Sequence, residues 1–167
     1  HSITATSTDA AGNTSPATAA LSFTVDTAAP VAPTMAGTDD VGVITGTIAA
    51  NAQTDDNKPT LSGSAEAGSV VKVYDGAALI GTTTANGTGA WSFTPTTALT
   101  DGAHSITATA TDAAGNTSPA TTALPFTVDT NAPVTTVVSA VLSNDNGVSS
   151  TDFITNVAAQ TITGALS

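Results

Sequence analysis

The sequence predicts an all-β protein assembled from tandem β-sandwich repeats, and three observations carry that prediction. The first is repetition. Residues 1–30, HSITATSTDAAGNTSPATAALSFTVDTAAP, return at 104–133 as HSITATATDAAGNTSPATTALPFTVDTNAP, with four differences (Ser7/Ala110, Ala19/Thr122, Ser22/Pro125 and Ala28/Asn131). Near-identity at a domain-sized offset of 103 residues marks tandem duplication. The second is a set of short alternating runs rich in Thr, Val and Ile, with no capped helical period anywhere. The third is the clusters of Gly, Asp, Asn and Pro that separate those runs at sandwich-like intervals.

The duplication divides the chain into the end of one repeat (1–30), a whole repeat (31–133) and the opening of a divergent repeat (134–167). The segments VDTAAP (25–30) and VDTNAP (128–133) read as linkers, each placing a proline where the chain leaves a sheet. Within the whole repeat a first strand is expected at 31–36, with Pro33 inside it confining it to an edge. A long Asp-rich connection, 37–57, follows, with room for a short strand at 43–48. Strands at 60–65 and 69–74 flank a tight Glu66-Ala67-Gly68 turn. Asp75-Gly76 signals a hairpin into 78–85, and Asn86-Gly87-Thr88-Gly89 turns the chain into 90–94. The last two strands are expected at 103–111 and 121–128.

Alternation assigns the faces. Trp91 with Phe93, then Ile106, Ala108 and Ala110, then Leu124, Phe126 and Val128 should point inward. Ser105, Thr107, Thr109 and Thr111 should face solvent. Aromatics are few, so the core rests mainly on Val, Ile, Leu and Ala.

Composition narrows the function. Two lysines (Lys58 and Lys72) and no arginine stand against thirteen acids, for a net charge of −11. A basic surface for nucleic acid or an anionic membrane is therefore missing. All the acids except Glu66 are Asp, whose short side chain suits turns and hard-cation sites. With no cysteine there is neither a disulfide framework nor a thiolate metal site. No apolar run reaches membrane-spanning length. No signal peptide is visible, which in a chain starting mid-repeat says nothing of export.

The strings TDAAGNTSPAT…FTVDTNAP, TDDNKPTLSGSAEAGSVVKVYDG and GTTTANGTGAWSFTP resemble the bacterial immunoglobulin-like repeats of giant biofilm-associated, RTX-type adhesins. The resemblance covers 31–133 and the repeat end at 1–30. TDFITNVAAQTITG at 151–164 echoes TDDNKPTLSG at 54–63. The family implies a Greek-key sandwich, type I secretion, and an extracellular stalk on the bacterial cell surface whose domains and linkers bind Ca2+. The chain departs from antibody domains in lacking the sandwich cysteines, and it contains no glycine-rich β-roll.

In such a domain the loops divide between two poles, which sorts the acids. The exit pole should gather Asp39, Asp40, Asp55, Asp56, Asp75, Asp101 and Asp129. The entry pole should hold Glu66, the loop from Asp112 to Asn116, and Asp26 of the incoming linker. Ca2+ takes six to eight oxygens, so two site types follow. An interdomain site would use Asp26, Asp112, Asn116 and Glu66; Asp129 occupies the place of Asp26 in the next linker. An intradomain site would use Asp39, Asp40, Asp55 and Asp56, with Asp101 as a further ligand. The plainer readings are that Asp112 caps its turn, the doublets form a solvated loop, and Asp75 and Asp101 serve Asp-Gly turns. Asp145, in SNDNG, is half of a Ca2+ loop without the terminal Glu.

No enzyme is expected. His104 and its copy His1 lie on strands, His104 in the parity of Ile106, and nothing positions a triad around either. The expected role is a stalk segment whose partners are neighbouring repeats of its own chain, with the adhesion target bound by other domains. The alternatives are a glycan- or protein-recognising module, or a spacer within an extracellular polysaccharide-degrading enzyme.

Overall fold

The computed structural model describes residues 1–132 and, beyond them, the strands at 137–142 and 162–166. It divides into two units, His1–Thr130 and Asn131–Ser167. All regular structure among the described residues is β.

The first unit opens with a small hairpin, β1 (Ser2–Ile3) against β2 (Leu21–Ser22). The strands that follow are β3 (Ala36–Asp39), β4 (Gly46–Ile48), β5 (Ala52–Thr54), β6 (Thr60–Ser64), β7 (Val70–Asp75), β8 (Ala78–Thr84), β9 (Ala90–Phe93), β10 (Gly102–Thr111) and β11 (Leu124–Val128). They form two sheets, one ordered β4-β3-β6-β9 and the other β5-β11-β10-β7-β8. Consecutive strands β6 and β7 sit in different sheets, as do β8 and β9, so the chain crosses the sandwich through the turns at Glu66–Gly68 and Asn86–Gly89. Asn86 Oδ1 holds the second turn by accepting the Thr88 and Ala90 amides at 2.9 and 3.0 Å.

Side chains from both sheets fill the space between them. Leu61, Val71, Val73, Ile106 and Ala108 are wholly inaccessible, with Trp91, Phe126 and Val128 almost so. The inward assignments for β9, β10 and β11 hold, with Phe93 and Leu124 packed on the margin of the core. The opposite face of β10 is only partly open. Ser105 is exposed, but Thr107, Thr109 and Thr111 are half-covered, because β10 is a central strand between β7 and β11.

The early part of the repeat differs most from expectation. The first ladder starts at Ala36 rather than 31, because Pro30 and Pro33 are buried and lack the N–H that a ladder needs. Thr34 still reaches the sheet: its amide donates to the Ser64 carbonyl at 2.8 Å. Close approach there requires Gly63, since a Cβ would run into the Thr34 carbonyl. The strand expected at 43–48 shrinks to β4, leaving Val43 and Ile44 exposed. The Asp-rich connection conceals β5, which runs parallel to β11 and pairs Ala52 with Phe126. Three residues of mostly polar character carry no alternation to read.

In the second unit β12 (Val137–Leu142) pairs antiparallel with β13 (Ile162–Leu166). Asp145 and most of the echo at 151–164 lie outside the described residues.

Candidate functional site

At the entry end the loop after β10 is organised by one carboxylate. Asp112 Oδ1 accepts the amides of Ala114 (2.9 Å) and Asn116 (2.8 Å), while Oδ2 accepts Asn116 Nδ2 at 2.9 Å. Gly115 closes the turn with φ +94°, a left-handed conformation natural to glycine. The Asn116 side chain is the largest influence on Asp112, and together with the Asn116, Ala114 and Gly115 amides it outweighs the opposing effect of burial and holds the Asp112 pKa below the ordinary carboxylate value. The same Nδ2 donates at 3.2 Å to the backbone carbonyl of Asp26 in the linker. Asp26 thus meets the loop through its carbonyl, while its carboxylate accepts the Ala28 amide. Glu66 is exposed and lines a cleft of about 450 Å³ together with Ala29, Pro30, Val31 and Ala32 of the linker. Asp112, Asn116 and Asp26 are therefore brought together, with Glu66 beside the same linker.

The exit end gathers the other acids into a loop network. Asp39 is buried at the end of β3; its Oδ2 accepts the Thr54 hydroxyl at 2.5 Å and its Oδ1 the Val41 amide at 3.1 Å. Asp56 is 2% exposed; its Oδ1 accepts the Lys58 amide at 2.8 Å, and its Oδ2 faces the Asp40 amide at 3.5 Å. The Asp55 carboxylate lies against Gly42, which has φ +67° and no space for a Cβ. Asp129 joins through its amide, which donates to the Thr54 carbonyl at 2.9 Å. Asp101 accepts the amide and hydroxyl of Thr130 at 3.1 and 2.9 Å. Thr54, absent from the expected ligand set, is the hub of this network. The alternation-free stretch around it offered no signal for a strand or for a buried hydroxyl.

Oxygen-only donors suit a hard cation. Among the described residues, however, no three acidic side chains already converge closely enough to hold one. The hydrogen bonds to Asp39, Asp56 and Asp112 come from backbone amides, a hydroxyl and a side-chain amide, not from a cationic side chain.

A pair that the sequence reading missed lies beside the exit end. His104 Nδ1 is 2.7 Å from Asp75 Oδ2, and His104 Nε2 is 2.7 Å from the Thr100 carbonyl. Asp75 Oδ1 also accepts the Ser105 amide at 3.0 Å. Burial pushes the His104 pKa down, but the Asp75 hydrogen bond, the Thr100 carbonyl and the Asp75 charge outweigh it, leaving the pKa raised. Two acceptors, one at each ring nitrogen, favour the imidazolium. Asp75-Gly76 is thus both the turn that was expected and an anchor between β7 and β10. The pairing depends on the register of β7 against β10, which sequence spacing does not encode.

Residues 29–130 match the family model described as the bacterial Ig-like domain. The chain belongs to that family. A search among curated proteins finds no match. A bacterial Ig-like domain is typically a non-catalytic module, often a surface or extracellular spacer. Among the described residues no helix is long and apolar enough to cross a membrane.

Proposed function

We propose that this chain is a spacer segment of a secreted bacterial cell-surface adhesin, of the giant biofilm-associated, type I-secreted kind, in which successive Ig-like repeats are joined at Ca2+-sensitive ends. The domain boundaries in this reading are 1–30, 31–133 and 134–167, with neighbouring repeats as partners and the adhesion target bound elsewhere in the protein. The observation that carries the reading is the hydrogen bond from Asn116 to the Asp26 carbonyl, which ties the loop of one repeat to the linker that enters it. A duplicated domain with a built contact to its own linker suits spacing.

Ca2+ would tighten both ends. At the entry end Asp112 Oδ2 and the Asp26 carbonyl already face one amide group, and Asn116 and Glu66 supply further oxygens nearby. At the exit end Asp39, Asp40, Asp55 and Asp56, with Asp101 and Asp129 beside them, concentrate negative charge that a divalent cation would neutralise. In a low-Ca2+ cytosol the acidic chain stays loosely folded and exportable. Outside, at about 10⁻³ M Ca2+, each occupied site stabilises folding by roughly 1–3 kcal/mol.

Calorimetric titration of the chain with CaCl2 tests this reading. The expected result is saturable binding in the range of extracellular modules, weakened by Asp112→Ala and by Asp56→Ala. No saturable heat above that of a MgCl2 titration would refute the Ca2+ role.

A further inference from the structure

His104 stands near the start of β10 with a side chain only 7% exposed, and both of its ring nitrogens are engaged. Nδ1 is 2.7 Å from Asp75 Oδ2, and Nε2 is 2.7 Å from the Thr100 carbonyl. The two acceptors are not equally free to move. Asp75 is fixed against β10: its Oδ1 accepts the Ser105 amide at 3.0 Å, and the Gly76 amide donates to the Ser105 carbonyl at 3.0 Å. Thr100 lies in the exposed stretch before β10. Its carbonyl belongs to the same peptide group as the Asp101 amide, so the two turn as one plane. Asp101 Oδ1 in turn accepts the amide and the hydroxyl of Thr130, in the outgoing linker, at 3.1 and 2.9 Å.

We infer that His104 is a proton-operated latch on the outgoing linker: charged, it holds the Thr100–Asp101 peptide so that Asp101 grips Thr130, and neutral, it lets that grip go. The imidazolium donates from both nitrogens and satisfies both acceptors. Neutral imidazole has a single N–H. That hydrogen stays on Nδ1, facing the Asp75 carboxylate, because a charge-assisted bond is stronger than one to a carbonyl. Nε2 then turns a lone pair on the Thr100 carbonyl, at a separation that only a hydrogen bond makes favourable. The exposed Thr100 peptide yields, and Asp101 moves with it.

The charges around the ring come from β7, the loop before β10 and the end of β11. On β7, Asp75 touches the ring, while Lys72 sits opposite Thr109, further along β10. Asp101 in the loop is committed to Thr130, and Asp129, just past β11, gives its amide to the Thr54 carbonyl. From β11 itself the ring meets Phe126, with centroids 5.8 Å apart, which carries no charge. Burial favours the neutral ring, and the Asp75 and Thr100 contacts outweigh it. His1 and Thr27 occupy the matching positions of the copy at 1–30. The latch needs no cation, so it stands apart from the Ca2+ reading.

The test uses the full chain in chelator, which keeps any Ca2+ effect out of the readout. NMR follows the His104 ring and the exchange of the Thr130 amide from about pH 5 to about pH 9, each rate corrected for intrinsic exchange at that pH. The expected result is a loss of about tenfold in Thr130 protection, with the same midpoint as the His104 titration. The Thr121 amide, bonded to the Ala108 carbonyl in the same hairpin, should keep its protection. Asp75→Asn should move both midpoints to lower pH together. Asp101→Ala should remove Thr130 protection at every pH while His104 still titrates. Thr130 protection that ignores the His104 titration, an equal loss at Thr121, a ring that does not titrate in this range, or midpoints that separate in Asp75→Asn overturns the inference.

Discussion

Residues 1–25 and 104–128 are nearly one sequence in two surroundings. Their loops are alike: Asp9 accepts the Ala11 and Asn13 amides at 2.9 and 2.8 Å, as Asp112 accepts those of Ala114 and Asn116. Thr8 and Thr14 form the same isolated bridge as Thr111 and Thr117. The strands are not alike. The first hairpin has two-residue strands and no buried side chain, while the second has strands of ten and five residues and completes the core. The turn is thus a local property of TDAAGN, and the strand is a property of its neighbours. Burying Ile106, Phe126 and Val128 contributes about 1.5–3 kcal/mol each, a stabilisation that their copies Ile3, Phe23 and Val25 do not receive.

Twin substitutions should break this symmetry most. Ile106→Ala is expected to destabilise the domain by about 2–5 kcal/mol, and Ile3→Ala to stay within about 0.5 kcal/mol, by chemical denaturation of the full chain. Equal effects would mean that the first hairpin is packed in solution. Disturbing the facing sheet rather than the hairpin comes next. Gly63→Ala, which drives a methyl group into the Thr34 carbonyl, should cost about 1–3 kcal/mol and lower amide protection in β10 and β11 while leaving residues 1–25 unchanged.

The pH response sharpens the contrast, because only the second hairpin has a β7 turn beside it. A folded-state pKa raised above the unfolded value adds stability that is complete below the unfolded pKa and disappears as pH rises through the folded one. Melting temperature should therefore fall as pH rises above about 6.5, with the slope removed by Asp75→Asn. The smallest expected effect is at the linker. Asn13 and Asn116 both serve their own loops, but Asn116 alone of the two donates to Asp26. Asn116→Ala should loosen the linker, read as faster exchange of the Ala28 amide, and Asn13→Ala should not.

Much of the fold was legible because β6 to β11 alternate cleanly between turn signals. The repeat boundaries expected after residues 30 and 133 rest on the duplication alone. What remained hidden was non-local. β5 is a strand only because β11 offers it a parallel edge, and Pro30 and Pro33 move the first ladder to Ala36 by withholding donors. The poles of the candidate site followed from strand order, yet the individual contacts did not. That Asp26 would present its carbonyl rather than its carboxylate, or that Thr54 would join Asp39 to Asp56, depends on backbone geometry that composition does not carry.

The central claim is that this chain spaces repeats whose ends are tightened by Ca2+. Thermal melting paired with small-angle scattering, in Ca2+ and in chelator, tests it most directly. The account predicts a melting temperature higher by about 3–9 °C and a longer maximum dimension with Ca2+. The same melting temperature and the same dimension in both conditions would contradict it.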